Sequence, residues 1–274
     1  MEKIKLFTVD LYGYLNEPKS AIVKGYQDHV KELCSKRDDF EYFTIDSNEE
    51  IEEIVKNSIL PNIPKKYYYQ LITDLVRYDY LTKNPGSVYI DTDLCIFGNK
   101  GLDILKEYQY QAVNGDYDFT AGEMGHGRQW SCNWLMISGK TPRLSKALFD
   151  TLVERITNKE MINDYIYNSK IESGLITPMS QYTSQDEGSE EYNSYIERYI
   201  WDKLWGYACY SNIDPRFYSQ IPYQLFQGYR WNSDWRSGDL LWKDVIVGCH
   251  FFGFGEGGRP KWDEFVEYHG IKVD

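Results

Sequence analysis

Asp91 and Asp93 stand two residues apart at the end of the apolar run Val88-Tyr-Ile. In an extended segment the side chains of residues i and i+2 point the same way, so the two carboxylates are placed to converge on one ion at the carboxyl end of a strand. Ligands of open α/β sheets collect at that end. Hard oxygen donors suit Mg²⁺ or Mn²⁺, ions that commonly keep substrate phosphates as further ligands. The chemistry expected is a clamp on a diphosphate. On these residues alone a second reading stays open, because Asp-x-Asp after a strand is also an ordinary polar turn with solvated carboxylates.

A second pair lies upstream. Asp74 and Arg77 are three apart within a segment, 67–81, whose apolar residues Tyr68, Leu71, Ile72, Leu75, Val76 and Tyr80 recur at helical spacing. Residues i and i+3 share a helix face, so this carboxylate and guanidinium can act together. As an isolated surface ion pair they would contribute little.

The elements that must position these groups alternate. A strand over 3–9 precedes a helix whose apolar positions Ala21, Val23, Tyr26, Val30 and Leu33 follow Pro18 and Ser20, and a strand follows over 40–45. Ser47 is expected to cap an acidic helix with Glu49, Glu50, Glu52 and Glu53 in its first turns, where carboxylates favour the helix dipole. After Pro61 and Pro64 comes the helix over 67–81, which Pro85 and Gly86 stop before the strand over 87–90. Further on, the sequence predicts helices over 102–108, 142–156, 161–167 and 190–205, strands over 132–137 and 245–249, a Gly-rich loop over 119–127 and a polar loop over 180–189. Strands alternating with helices imply a largely parallel sheet, with the helix-rich second half as an insertion. The fold class expected is a single α/β domain over 1–274, its first part (1–99) ending in Asp-x-Asp and its second (100–274) carrying a Gly-rich C-terminal loop.

Composition narrows the partners. The 274 residues hold 30 Lys and Arg against 42 Asp and Glu, a formal charge of −12, with 42% hydrophobic and 16% aromatic residues. Such an acid excess argues against a protein that tracks a phosphate backbone, since that affinity comes from clustered cations. The five cysteines, Cys34, Cys95, Cys132, Cys209 and Cys249, are scattered and form no C-x-x-C pair, which suggests neither a disulfide framework nor a zinc knuckle. No apolar run approaches signal-peptide or membrane-span character, and a cytoplasmic location is expected. Pairs of tryptophans four apart, Trp130 and Trp134, Trp201 and Trp205, Trp231 and Trp235, are expected mostly in the core, with a minority lining a sugar or base pocket.

The block Thr73-Asp-Leu-Val-Arg-Tyr-Asp-Tyr-Leu, followed after a short gap by Gly86-Ser-Val-Tyr-Ile-Asp-Thr-Asp, resembles the signature of glycosyltransferases with the DXD sugar-binding motif. That group includes outer-chain mannosyltransferases and capsular-polysaccharide enzymes, and the large glucosylating bacterial toxins share the pattern. The opening strand, the helix after Pro18 and Asp39-Phe-Glu-Tyr-Phe-Thr-Ile-Asp before an acidic helix are similar in layout, so the resemblance covers about the first hundred residues. One departure is that Pro85-Gly86-Ser87 stands where those families have Gly-Gly, one residue longer.

The resemblance implies a GT-A fold with a Rossmann-like sheet, and transfer of a sugar from a nucleoside diphosphate donor, UDP-sugar first, with retention of anomeric configuration. It assigns Asp74 and Arg77 to the donor's sugar and ribose, and Asp91 and Asp93 to the metal, with Asp91 also on the donor. A late His before a flexible loop and a Trp is similar to His250, which becomes the third ligand beside Mn²⁺, or Mg²⁺; a buried histidine at a strand end is the competing reading. After Gly253, Gly255, Gly257 and Gly258, the side chains of Arg259, Lys261 and Trp262 are expected over the diphosphate. The acceptor would be a glycan, a protein or a hydroxylated nucleic-acid base. Two other classes stay in view: a haloacid-dehalogenase-like phosphatase built on Asp91 and Asp93, whose following residues Leu-Cys-Ile do not fit that pattern, and a catalytically silent sugar-binding module.

Overall fold

The computed structural model describes residues 2–11, 19–62, 65–122, 131–172, 190–199, 214–222, 224–228, 235–236, 243–251 and 259–274. The chain divides into two compact units, one made of Met1–Asp46, Tyr80–Ser145 and Asp214–Asp274, the other of Ser47–Asp79 and Lys146–Ile213.

In the first unit, β1 (Ile4–Val9) buries residues 6 to 9 on both faces, as a strand inside a parallel sheet must. Helix α1 (Ala21–Ser35) buries Val23, Tyr26, Gln27, Val30, Leu33 and Cys34 at helical spacing and leads into β2 (Phe40–Ile45), parallel to β1 from Ile4↔Phe40 to Val9↔Ile45. In the second unit, α2 (Glu49–Lys56) starts one residue later than Ser47 predicts: Asn48 is the cap, its Oδ1 accepting the Ile51 N–H at 3.1 Å. Helix α3 (Lys65–Lys83) follows, longer than its apolar spacing indicates, and passes from the second unit into the first.

The turn after α3 explains the extra residue at 85–87. Gly86 has φ of 79°, a left-handed conformation that a side chain disfavours, and Ser87 closes the turn with its N–H and hydroxyl on the Asn84 carbonyl at 3.2 and 2.7 Å. Then come β3 (Val88–Ile90), β4 (Leu94–Ile96) and α4 (Asn99–Gly115). Helix α4 runs well beyond the predicted 102–108, because Leu102, Leu105 and Ala112 all bury one face while polar Gln and Asn residues on the rest hide the periodicity. It ends at Asp116, left-handed with φ of 59°.

The next strand corrects the sequence reading. Residues 119–122, the first part of the expected loop over 119–127, belong to β5 (Asp118–Gly122), antiparallel to β6 (Ser131–Ile137) and parallel to β7 (Tyr218–Ile221). Pairing on both edges outweighs the weak strand preference of Asp and Gly, with a register shift between Thr120 and Gly122. Helices α5 (Arg143–Thr157), α6 (Lys159–Glu172) and α7 (Glu190–Tyr199) supply the helix-rich part, which falls largely in the second unit. There Tyr199 donates its hydroxyl to the Arg155 carbonyl at 3.0 Å and packs on Tyr165. The polar stretch 180–189 and residues 200–205 of the predicted last helix lie outside the described residues.

The central sheet runs β2-β1-β3-β6-β5-β7, and three of its five pairings are parallel, so the protein is α/β with a mostly parallel sheet. A small second sheet joins β4, β9 (Gly248–His250) and β8 (Phe226–Gly228), with α8 (Trp262–His269) closing the chain. The strand predicted over 245–249 is thus displaced, and His250 belongs to it instead of following it. Strands β4, β7 and β8 have three or four residues each and carry no alternation to read.

Asp118 is buried at 1% exposure and accepts the Gly139 N–H at 2.6 Å, the Ser145 N–H at 3.1 Å and the Ser145 hydroxyl at 3.2 Å, so it caps the start of α5 from another strand. Burial outweighs those bonds and pushes its carboxyl up to about 6 from 3.8. A raised folded-state value means that the folded protein binds the proton more tightly, so the contribution is greatest below pH 4 and is lost as pH rises through 6. Asp118→Ala should lower unfolding free energy by roughly 2 kcal/mol at pH 5 through orphaned N–H donors, and the gap to the unsubstituted chain should narrow between pH 5 and 7 in urea titrations. A gap that widens over that range would refute the account.

Candidate metal centre

Strand β3 ends where its last ladder bond is made, the Asp91 N–H on the Trp134 carbonyl of β6 at 2.8 Å. The chain then turns: Thr92 and Asp93 form the bend, the Leu94 N–H reaches the Asp91 carbonyl at 3.1 Å, and β4 departs into the second sheet. The two carboxylates therefore meet by a turn at the junction of two sheets, and the strand alternation expected for them is not what brings them together. Strand β9 runs antiparallel to β4 in the register Leu94↔His250, and the Phe251 N–H donates to the Asp93 carbonyl at 3.0 Å.

That register sets the imidazole between the acids. His250 Nε2 lies 3.0 Å from Asp93 Oδ1 and 3.4 Å from Asp91 Oδ2. One donor atom from each of the three residues falls within 4.8 Å of the others. Two ligands on opposite sides of a hard divalent ion at about 2.1 Å stand about 4.2 Å apart, so the set closes on one ion with sub-ångström adjustment. Two carboxylates and an imidazole fit Mn²⁺ at least as well as Mg²⁺.

The cluster balances its own charge. Asp93 takes Arg259 Nη2 on its other oxygen at 2.8 Å, and Arg259 Nε also donates to the Phe251 carbonyl at 3.2 Å. Burial alone would raise the Asp93 carboxyl, but His250 and Arg259 more than reverse this and hold it at about 2. Burial likewise opposes charge on His250, yet the two carboxylates push its imidazole up to about 9. A metal held here would take the place of a proton on His250.

Tyr89, Trp134 and Tyr26 also shape the site, and the sequence reading assigns none of them to the acid cluster. Tyr89 Oη donates a short hydrogen bond to Asp91 Oδ1. The alternation that relates Asp91 to Asp93 also puts Tyr89 two residues before Asp91, so that signal was present. Trp134 lies flat against the His250 ring, centroids 5.0 Å apart at 24°, a contact with no local trace in the sequence. Tyr26 donates from α1 to the Pro260 carbonyl at 2.5 Å and stacks on Phe251, which fixes the residue next to Arg259.

The remaining expected site residues are placed as follows. Asp74 and Arg77 pair at 2.5 Å and are 6% and 5% exposed, so the weak surface pair is not what they form; a pair this buried must be closely compensated to persist. Lys261 is exposed, 3.5 Å from Glu264, and Trp262 stacks on His29 at 3.7 Å; the described contacts of neither reach the acid cluster. Gly253, Gly255, Gly257 and Gly258, and Trp130, Trp201, Trp205 and Trp231, lie outside the described residues.

With the full chain, Mn²⁺ titrated calorimetrically should bind at a single site. His250→Ala should weaken it by at least about 100-fold, and Tyr89→Phe, which leaves the ligand but removes its orienting bond, by about tenfold. Unchanged affinity in both variants would rule out this centre.

No family model matches the chain, and no curated protein matches it. Among solved structures it is similar to a glycosyltransferase involved in the glycosylation of the major capsid of PBCV-1, at 12% identity and a TM-score of 0.49 over 99% of this chain and 100% of that one. It is similar to the glycosyltransferase GlyE of Streptococcus pneumoniae TIGR4 at 10% identity and a TM-score of 0.43, over 98% of this chain and 61% of GlyE. Mouse xyloside xylosyltransferase 1 aligns at 9% identity and a TM-score of 0.46, over 91% of this chain and 97% of that one.

Proposed function

We propose that this chain is a divalent-metal-dependent glycosyltransferase of GT-A type that moves a sugar from a nucleoside diphosphate donor, UDP-sugar first, to a glycan or protein acceptor with retention. The observation that carries the reading is the convergence of Asp91, Asp93 and His250 on one ion-sized space beyond the carboxyl end of β3. A divalent ion held there supplies Lewis-acid neutralisation of the diphosphate leaving group. Tyr89 keeps Asp91 turned toward that space, and Trp134 holds the His250 ring flat so that Nε2 faces the carboxylates. Arg259 is a fixed cation beside the same carboxylate, suited to the charge that grows on a departing phosphate oxygen.

From the sequence resemblance, Asp74 and Arg77 take the donor sugar and ribose, with Lys261 and Trp262 as further donor contacts. The net charge of −12 favours glycan or protein over nucleic acid as acceptor. No helix among the described residues is long and apolar enough to cross a membrane. The phosphatase alternative needs Asp93 as a proton donor, whereas His250 and Arg259 hold that carboxyl below its usual range and so favour its ionised form.

A panel of UDP- and GDP-sugars incubated with the protein and Mn²⁺ checks the proposal through release of free nucleotide. One donor should turn over, chelation should stop it, Asp93→Asn should lower the rate by at least about 100-fold, and Arg77→Lys should raise KM for that donor. Absence of turnover with every donor, or an Asp93→Asn rate equal to that of the unsubstituted chain, overturns it.

A further inference from the structure

We propose that the cavity at the opposite end of the central sheet is a second binding site, for a saccharide that bears phosphate or carboxylate groups. The cavity measures about 530 Å³, within the range of roughly 300–1,000 Å³ typical of small-molecule sites. It opens beside Ile4, the first residue of β1, and Ser87, the residue before β3, whereas the metal centre follows the last residue of β3. Ser87 and Asp91 are four residues apart, about 13 Å of extended chain, so one small ligand does not occupy both.

Its charge runs against that of the chain. Lys3, Lys5, Lys83 and Lys106 reach it from the segment before β1, from β1, from the end of α3 and from α4, and face two lining carboxylates, Glu2 and Asp39. Four lysines against two acids leave a positive pocket in a chain of net charge −12. Asp39 is paired: Arg37 donates to both its oxygens at 2.8 and 2.9 Å and Lys106 adds a contact at 2.7 Å, which holds its carboxyl well below the usual range; Arg37 also holds Asp103 at 2.7 Å, so the excess positive charge rests on Lys3, Lys5 and Lys83 against Glu2. Anions are the ligands such a pocket admits.

Two further features point to a sugar as carrier of the anion. Tyr110 stands at the cavity with 66% of its surface exposed, a flat ring of the kind that stacks on the apolar face of a pyranose. Gln109 is set beside it by a glycine: a Cβ on Gly86 would lie 3.0 Å from Gln109 Nε2 and 3.2 Å from Val113 Cγ1, so the absent side chain leaves room for a carboxamide able to bond hydroxyls. A bare anion needs only the lysines; an acidic saccharide uses the ring and the amide as well.

Isothermal titration of the full chain with glucose 6-phosphate, trigalacturonate, maltotriose and inorganic phosphate separates these cases. The two acidic saccharides should bind, more weakly at high salt, with maltotriose and inorganic phosphate at least about tenfold weaker. Lys3→Glu combined with Lys83→Glu should weaken glucose 6-phosphate by at least about tenfold and Tyr110→Ala by about fivefold, both with unchanged melting temperature. Asp93→Asn should bind it as before, which keeps this result independent of donor turnover. Equal binding of phosphate and glucose 6-phosphate, equal binding of maltotriose, loss in Asp93→Asn, or no binding at all would each overturn the proposal.

Discussion

The registration of β9 against β4 is the constraint on which the acid cluster depends. Residues 93 and 250 are 157 positions apart, and only the pairing Leu94↔His250, closed by Phe251 on the Asp93 carbonyl, brings the imidazole beside both carboxylates. Side chains alternate along a strand, so a slip of one residue would turn His250 away and present Cys249 in its place. The close packing around β9 resists such slippage. A Cβ on Gly248 would lie 2.8 Å from the Cys95 carbonyl oxygen and from Phe226, so the backbone approaches its neighbours as nearly as sterics permit.

Electrostatics then decides the state of the cluster. Two carboxylates this near one another, with Asp93 only 13% exposed, would repel in a poorly solvated space without counter-charge. The His250 imidazole and the Arg259 guanidinium provide that charge, and both come from the last part of the chain. With that balance, a cation entering the cluster would take the place of a proton on His250.

Much of this was legible in the sequence, for reasons that differ by element. The first two strands, the helix between them and the helix ending before Pro85 carry long, clean periodicities, and their boundaries came out within about two residues. The gathering of Asp91, Asp93 and His250 was foreshadowed by the spacing of the two acids and, for His250, by the family resemblance. The way in which the acids converge was not readable, since a three-residue strand followed by a three-residue turn leaves no pattern to distinguish it from a continuous extended run. Strand β5 was missed because its stability comes from partners on both sides, and Trp134 because its contact with His250 depends on the packing of two sheets. Arg259 was expected over a phosphate; its carboxylate partner became visible only once Asp93 and the C-terminal segment were in one frame.

The bond from Tyr26 to Pro260 joins residues 234 apart, from the first helix to the segment before the last. A loop of that length is closed at a cost in chain entropy that the sheet packed between its ends lowers. The bond ties the segment that carries Arg259 to the first helix, and through Arg259 to the acid cluster. A cation held by Asp91, Asp93 and His250 would therefore depend on the two ends of the first unit being joined, and not on three side chains alone.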